Sequence, residues 1–220
     1  MIIDNICFMR ISHKHKFVYI AITKTGSTTV RHLLTKYSDI CSKTSKGPFG
    51  HHVKSNDLKD TFDSQNWAWD DYFKFTFVRH PVSRLYSMHK YQLRVGSNPP
   101  TDYMKLHATK FYQKCVEYVS LCCSFEDAIL ADRISIPPQA NWITSMSTNI
   151  SLLDKIVKIE NIDTELPKIF AHLGLPSDSM TKIPKLNQSP GSDDPLQLLS
   201  RSAIDKVNKA YERDFLLLDY

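Results

Sequence analysis

The sequence predicts an α/β fold built on a mainly parallel sheet. Three observations carry that expectation. Two short β-branched and aromatic runs, at 17–22 and 73–78, each lead directly into a helical pattern, and a third run of this kind recurs at 155–159. Strands that alternate with helices pair in parallel, because a parallel pair needs a long crossover and a helix supplies it. The composition fits a globular domain: 42% hydrophobic and 23% charged residues, with 6 Gly and 11 Pro, exclude collagen-like, low-complexity and disordered chains. At 220 residues the chain is expected to form a single domain over 1–220. A domain of that size buries roughly 70% of its unfolded surface and needs neither disulfides nor a structural metal.

The elements follow in order. FVYIAI at 17–22 reads as a buried strand, the small-residue stretch at 23–29 as a loop, and 30–37 as a helix. Strand, loop and helix make half a βαβ unit. Residues 38–56, rich in Ser, Lys, Gly and His, read as a loop, and 56–62 as a short helix capped by Ser55 or Asn56. FKFTFV at 73–78 is the second strand, and Pro81 opens a helix to Leu93, since proline suits a first helical position. After a break at 97–101 a helix resumes over 103–119, and SFEDAILA at 124–131 reads as a capped helical turn. The third strand, 155–159, leads through Glu160 and Asn161 to a helix at 164–173 that Gly174 stops. Residues 176–195 read as a long proline-containing loop and 202–217 as a terminal helix. No internal repeat and no interdomain linker stands out.

Five cysteines, odd in number and irregularly spaced, form no CxxC pair or Cys/His ladder, which argues against zinc and for a reducing compartment. The first 17 residues hold no apolar run of signal-peptide length, and nowhere do 18 apolar residues follow one another. The expectation is a soluble, cytoplasmic protein. Lys and Arg number 28 against 23 Asp and Glu, a net charge of +5 that suits an anionic ligand. Clustered basic residues with interleaved aromatics are missing from the sequence, which argues against a nucleic-acid partner.

The chemistry concentrates at two strand-to-helix junctions. Lys24, Thr25, Gly26, Ser27, Thr28 and Thr29 offer hydroxyls, an ammonium and the unpaired amides of a helix start. That set cradles a phosphate-like anion. It is not a Walker A loop, which needs its Lys after the last Gly, whereas Lys24 precedes Gly26. In the second junction Arg79 ends a strand and Ser87 follows eight residues on, giving a bidentate fork and a hydroxyl. Arg84, on the same helix, reads as a partner for an acid. Both junctions fall at strand carboxyl ends, where open α/β sheets bind ligands.

These residues resemble the sulfotransferase family. KTGSTT at 24–29 is similar to its 5′-phosphosulfate loop, and FKFTFVRHPVSRLYS at 73–87 to its 3′-phosphate strand and helix. The nearer resemblance is to the carbohydrate group (chondroitin, dermatan and heparan 2-O type) and its compact bacterial relatives. It continues through Pro138-Gln139, Glu160-Asn161, Leu186-Asn-Gln-Ser189 and Tyr211-Glu-Arg-Asp-Phe215 in the family's order. His80 departs from the pattern, standing where Asn or Asp is usual, and Lys158 stands where an Arg often precedes the acid.

The resemblance implies a P-loop-like three-layer fold, a central, mainly parallel sheet flanked by helices, in one sulfotransferase domain. It implies transfer of a sulfuryl group from 3′-phosphoadenosine 5′-phosphosulfate (PAPS) to a hydroxyl of a carbohydrate or glycolipid, leaving 3′-phosphoadenosine 5′-phosphate (PAP), with no metal required. Lys24 would neutralise the leaving phosphate, the 24–29 loop would hold the 5′-phosphate, and Arg79 and Ser87 the 3′-phosphate. The family places a catalytic His between the two junctions. His52, followed by Val53, fits that place better than His51, and an imidazole with its unperturbed pKa of about 6.5 accepts a proton at neutral pH. Trp67 and Trp69 read as packing, Glu160 as ordering the site, and Asn187 and Ser189 as belonging to a lid. Two other classes compete: a small-molecule kinase, disfavoured by the loop order, and a non-catalytic polyanion-binding module.

Overall fold

The computed structural model describes residues 9–40, 47–50, 52–101, 104–105, 108–121, 124–145, 148–176, 183–184 and 194–220. Its sheet has four strands in the order β1 (Arg10–Ser12), β2 (Phe17–Ile20), β3 (Phe73–Val78), β4 (Lys155–Lys158). β2, β3 and β4 run parallel, with Ile20 opposite Thr76 and Thr76 opposite Ile156. β1 pairs antiparallel with β2 as a hairpin. The expected α/β fold with a mainly parallel sheet is what the chain forms. β1 is an addition: its three residues are too few for periodicity to register. Residues 13–16 are the hairpin's turn. Asp39 secures that turn by accepting hydrogen bonds from the amides of Lys14 (3.0 Å) and His13 (2.5 Å) and from the Ser12 hydroxyl (3.1 Å). Those donors, the Lys14 amide foremost, hold its carboxyl below the usual carboxylate range.

Among the described residues nine α-helices follow: α1 (Ser27–Leu34), α2 (Ser55–Ser64), α3 (Pro81–Gly96), α4 (Thr109–Leu121), α5 (Phe125–Leu130), α6 (Ala140–Ile143), α7 (Ile162–His172), α8 (Arg201–Ala210) and α9 (Glu212–Leu218). α5 carries the expected cap, with the Ser124 hydroxyl accepting from the Asp127 amide at 3.0 Å. α2 does not: its N-cap is Lys54, which contributes backbone only, and the Asn56 side chain instead donates to the Thr144 carbonyl at 2.7 Å. Within the span expected as a helix, 103–119, residues 104–105 are helical and α4 covers Thr109–Leu121, and the terminal helix is two, divided at Tyr211. That break has a cause. The buried Tyr211 hydroxyl donates to the Ile136 carbonyl (2.7 Å) and accepts from the Ile136 amide (3.2 Å), which fixes the residue where the helical path ends.

The chain groups into two compact units, one from Met1–Arg79 with Gln139–Asn187, the other from His80–Pro138 with Gln188–Tyr220. In the first, Phe17, Tyr19, Phe75, Phe77 and Val157 from the strands meet Val30 and Leu34 of α1 and Leu166, Ile169 and Phe170 of α7. In the second, Val82 and Leu85 of α3 pack with Tyr118, Phe125, Ile129, Ala203 and Val207. No helix among the described residues is long and apolar enough to cross a membrane.

Candidate active site

The first junction is shaped by two left-handed residues. After β2 the chain turns through Lys24 (φ 66°) and Gly26 (φ 73°), and Gly26 is the N-cap of α1. Glycine meets both demands there: it adopts positive φ without strain, and a Cβ would lie 2.7 Å from Ile159 Cδ1. Thr25 is fully buried and its hydroxyl donates to the Ile22 carbonyl at 3.0 Å, which locks the turn. The Thr29 hydroxyl donates to the Pro184 carbonyl at 3.0 Å. These two hydroxyls therefore hold the loop. α1 is clamped from behind by Arg10. Its guanidinium donates to the Arg31 carbonyl (2.9 Å), the Met9 carbonyl (2.8 Å) and the Thr35 hydroxyl (2.9 Å). The adjoining Tyr19 phenol is pushed well above its usual range by burial, and burial likewise lowers the Arg31 guanidinium.

The second junction ends β3 at the half-buried Arg79. Gln139, itself fully buried, brackets its backbone: the Arg79 amide donates to Oε1 and Nε2 donates back to the Arg79 carbonyl, each at 2.8 Å. Because β2 and β3 are parallel neighbours, Arg79 and the 24–29 loop leave the sheet at the same end. In the other unit His80 does what Asn or Asp would do at a helix start, its Nδ1 accepting from the Val82 amide at 3.2 Å ahead of Pro81. The family departure at this position is thus a replacement cap. Ser87 stands half-buried in the second turn of α3. Arg84 is fully buried and donates to the Pro137 carbonyl at 2.8 Å. Burial pulls its guanidinium down to about 10, and the charge of the buried Asp214 opposes that shift. Of the C-terminal motif, Tyr211 and Phe215 pack in the core of this unit and Asp214 is buried.

His52, which falls between the two junctions in the sequence, is half-buried with a left-handed backbone (φ 60°). Its Nδ1 lies 2.5 Å from the Ala21 carbonyl, at the end of β2 and just before Lys24. A carbonyl only accepts, so Nδ1 carries the proton and Nε2 carries the lone pair of the neutral ring. The His52 carbonyl accepts from the Trp142 indole N–H at 2.8 Å. Sequence reasoning named His52 and Gln139 but missed Trp142, whose contact spans 90 positions. His51, Asn187 and Ser189 lie outside the described residues. Glu160 is exposed in a 3-10 turn after β4. Trp69 is buried against Phe62, and Trp67 is edge-on to Phe62 and stacked on Phe49, so both tryptophans pack. Among the described residues no cluster of His, Cys, Asp and Glu is arranged to hold a metal ion.

The 24–29 loop and Arg79 thus leave adjacent parallel strands at one end of the sheet, and the His52 ring is anchored to Ala21 beside the first of them. The profile of the sulfotransferase family matches residues 9–220, and the chain belongs to that family as a PAPS-dependent sulfotransferase. Neither the curated proteins nor the solved structures contain a match to it.

Proposed function

We propose that the protein sulfates a hydroxyl of a carbohydrate or glycolipid, and that it falls in the carbohydrate sulfotransferase group with its compact bacterial relatives. The family profile runs through both units, which supports treating residues 1–220 as one functional domain. The cysteine pattern, with Cys115 a free and buried thiol, supports a reducing, cytoplasmic setting.

One observation carries the mechanistic reading: His52 is tied through Nδ1 to the strand that feeds the Lys24 loop. In this reading His52 Nε2 takes the proton of the acceptor hydroxyl as its oxygen attacks sulfur. The bond from sulfur to the bridging phosphate oxygen breaks, and its electron pair stays on the 5′-phosphate of PAP. Lys24 meets that developing charge, and the α1 amides with Ser27 and Thr28 hold the phosphate. The loop suits such a donor because Gly26 takes the left-handed turn that leads into α1, and a helix start offers backbone N–H groups to an anion. Arg79 and Ser87 hold the 3′-phosphate, the group that distinguishes this donor from ATP.

Thermal-shift titration tests the donor assignment. PAP is expected to stabilise the protein markedly more than adenosine 5′-phosphate, and Arg79→Ala to erase most of that difference, about 2 kcal/mol for a charge-assisted fork. Equal shifts with the two nucleotides would remove the 3′-phosphate assignment.

A further inference from the structure

We infer that Trp142 is a positioning residue for His52, setting through its indole N–H the ring orientation that catalysis uses. The inference rests on the reading of His52 as the base.

A non-glycine residue in the left-handed region persists where its surroundings hold it there. His52 has φ 60°, and two contacts grip it from opposite ends. The side chain reaches Ala21 through Nδ1 at 2.5 Å, and the carbonyl receives the Trp142 N–H at 2.8 Å. The two are coupled: if the backbone relaxed to an ordinary φ, rotation about N–Cα would swing the ring away from Ala21. The proton would then no longer be pinned to Nδ1, and Nε2 would no longer be committed to accepting. Trp142 thus governs the base through the backbone, without touching the ring nitrogens.

Trp142 can do this because it stands on a fixed support. It is 6% exposed, on the four-residue helix α6. At one end of α6 Gln139 is locked to Arg79 by two bonds of 2.8 Å. At the other, Thr144 accepts from Asn56 Nδ2 at 2.7 Å, and Ile143 accepts from the Leu152 amide at 2.9 Å. One short segment therefore grips the backbone of the proposed 3′-phosphate arginine and the backbone of the proposed base. Simple packing would ask of a buried tryptophan only that its N–H find some acceptor. Here the acceptor is the strained residue itself.

The test is Trp142→Phe, read first by NMR on the substrate-free protein. Two-bond proton–nitrogen correlation of the imidazole, assigned by its disappearance in His52→Ala, reports the tautomer at pH 8. The wild type is expected to show Nδ1–H alone, and Trp142→Phe a mixture of tautomers. Its kcat should fall about ten- to hundredfold, the scale of a small misplacement, with PAP affinity and donor KM within about twofold. Trp69→Phe, the same change at an equally buried tryptophan that packs on Phe62, should leave tautomer and kcat nearly unchanged. If the Phe variant does not fold, benzothienylalanine at position 142 keeps the bicyclic shape and removes only the donor. A pure Nδ1–H tautomer with unchanged kcat in the variant would overturn the inference, as would an equal effect from Trp69→Phe. A tautomer that responds to Trp142 while His52→Ala keeps full turnover would uphold the positioning and discard the base.

Discussion

Replacing Gly26 by Ala perturbs the 5′-phosphate loop at one defined atom. The residue has φ 73° and ψ 14°, a left-handed conformation that costs an L-residue about 1–2 kcal/mol. The new Cβ would sit 2.7 Å from Ile159 Cδ1 and 3.3 Å from its Cγ1. The far end of an isoleucine can move off its rotamer for about 1 kcal/mol, so the two terms sum to about 2–3 kcal/mol. For a chain of this length that lowers Tm by about 4–12 °C. Gly174→Ala is the matched control. Gly174 also has positive φ (63°), just after α7, but nothing lies within 4 Å of its added Cβ, so it carries the backbone cost alone. Calorimetric unfolding with and without PAP separates the two. Both variants should lose stability, Gly26→Ala the more, and only Gly26→Ala should weaken PAP, by tenfold or more, because two or three charge-assisted amide contacts shift with the loop. PAP binding by Gly26→Ala as tight as wild type would refute the assignment of this loop to the 5′-phosphate.

Two further outcomes concern stability. Asp214→Ala leaves the fully buried Arg84 guanidinium without its opposing carboxylate, and denaturant unfolding should show a loss of about 3–5 kcal/mol, partly restored by Arg84→Leu in the same chain. Burial, helped by Lys90, holds the His89 imidazole down to about 4. The unfolded chain binds that proton near pH 6.5, so unfolding takes up a proton between those values and stability falls as pH falls from 6.5 to 4. Full linkage gives about 3 kcal/mol, which partial solvent access reduces to about 2 kcal/mol, and His89→Gln should flatten that part of the stability-against-pH curve.

The strands of the parallel core were legible because each is a short apolar run bounded by a change of pattern, and 73–78 matches β3 end to end. The junctions were legible for a local reason too: loop residues and helix starts sit next to the strands that present them. What escaped the sequence depends on distance along the chain. Gln139 holds Arg79 across 60 positions and Trp142 holds His52 across 90, and no periodicity encodes such pairings. α6 has four residues and β1 three, below the length at which a pattern repeats. Residue type also concealed roles. Thr25 and Thr29 look like phosphate ligands in a hydroxyl-rich loop, yet their hydroxyls are given to the Ile22 and Pro184 carbonyls.

Sulfuryl transfer from ³⁵S-labelled PAPS tests the central claim most directly, run against a panel of oligosaccharides, glycolipids, phenols and steroids with the wild type, His52→Ala and His51→Ala. Label is expected on a carbohydrate or glycolipid hydroxyl, lowered about 10²- to 10⁴-fold by His52→Ala while PAP still binds, and largely retained by His51→Ala. Near-full transfer by His52→Ala would contradict the claim.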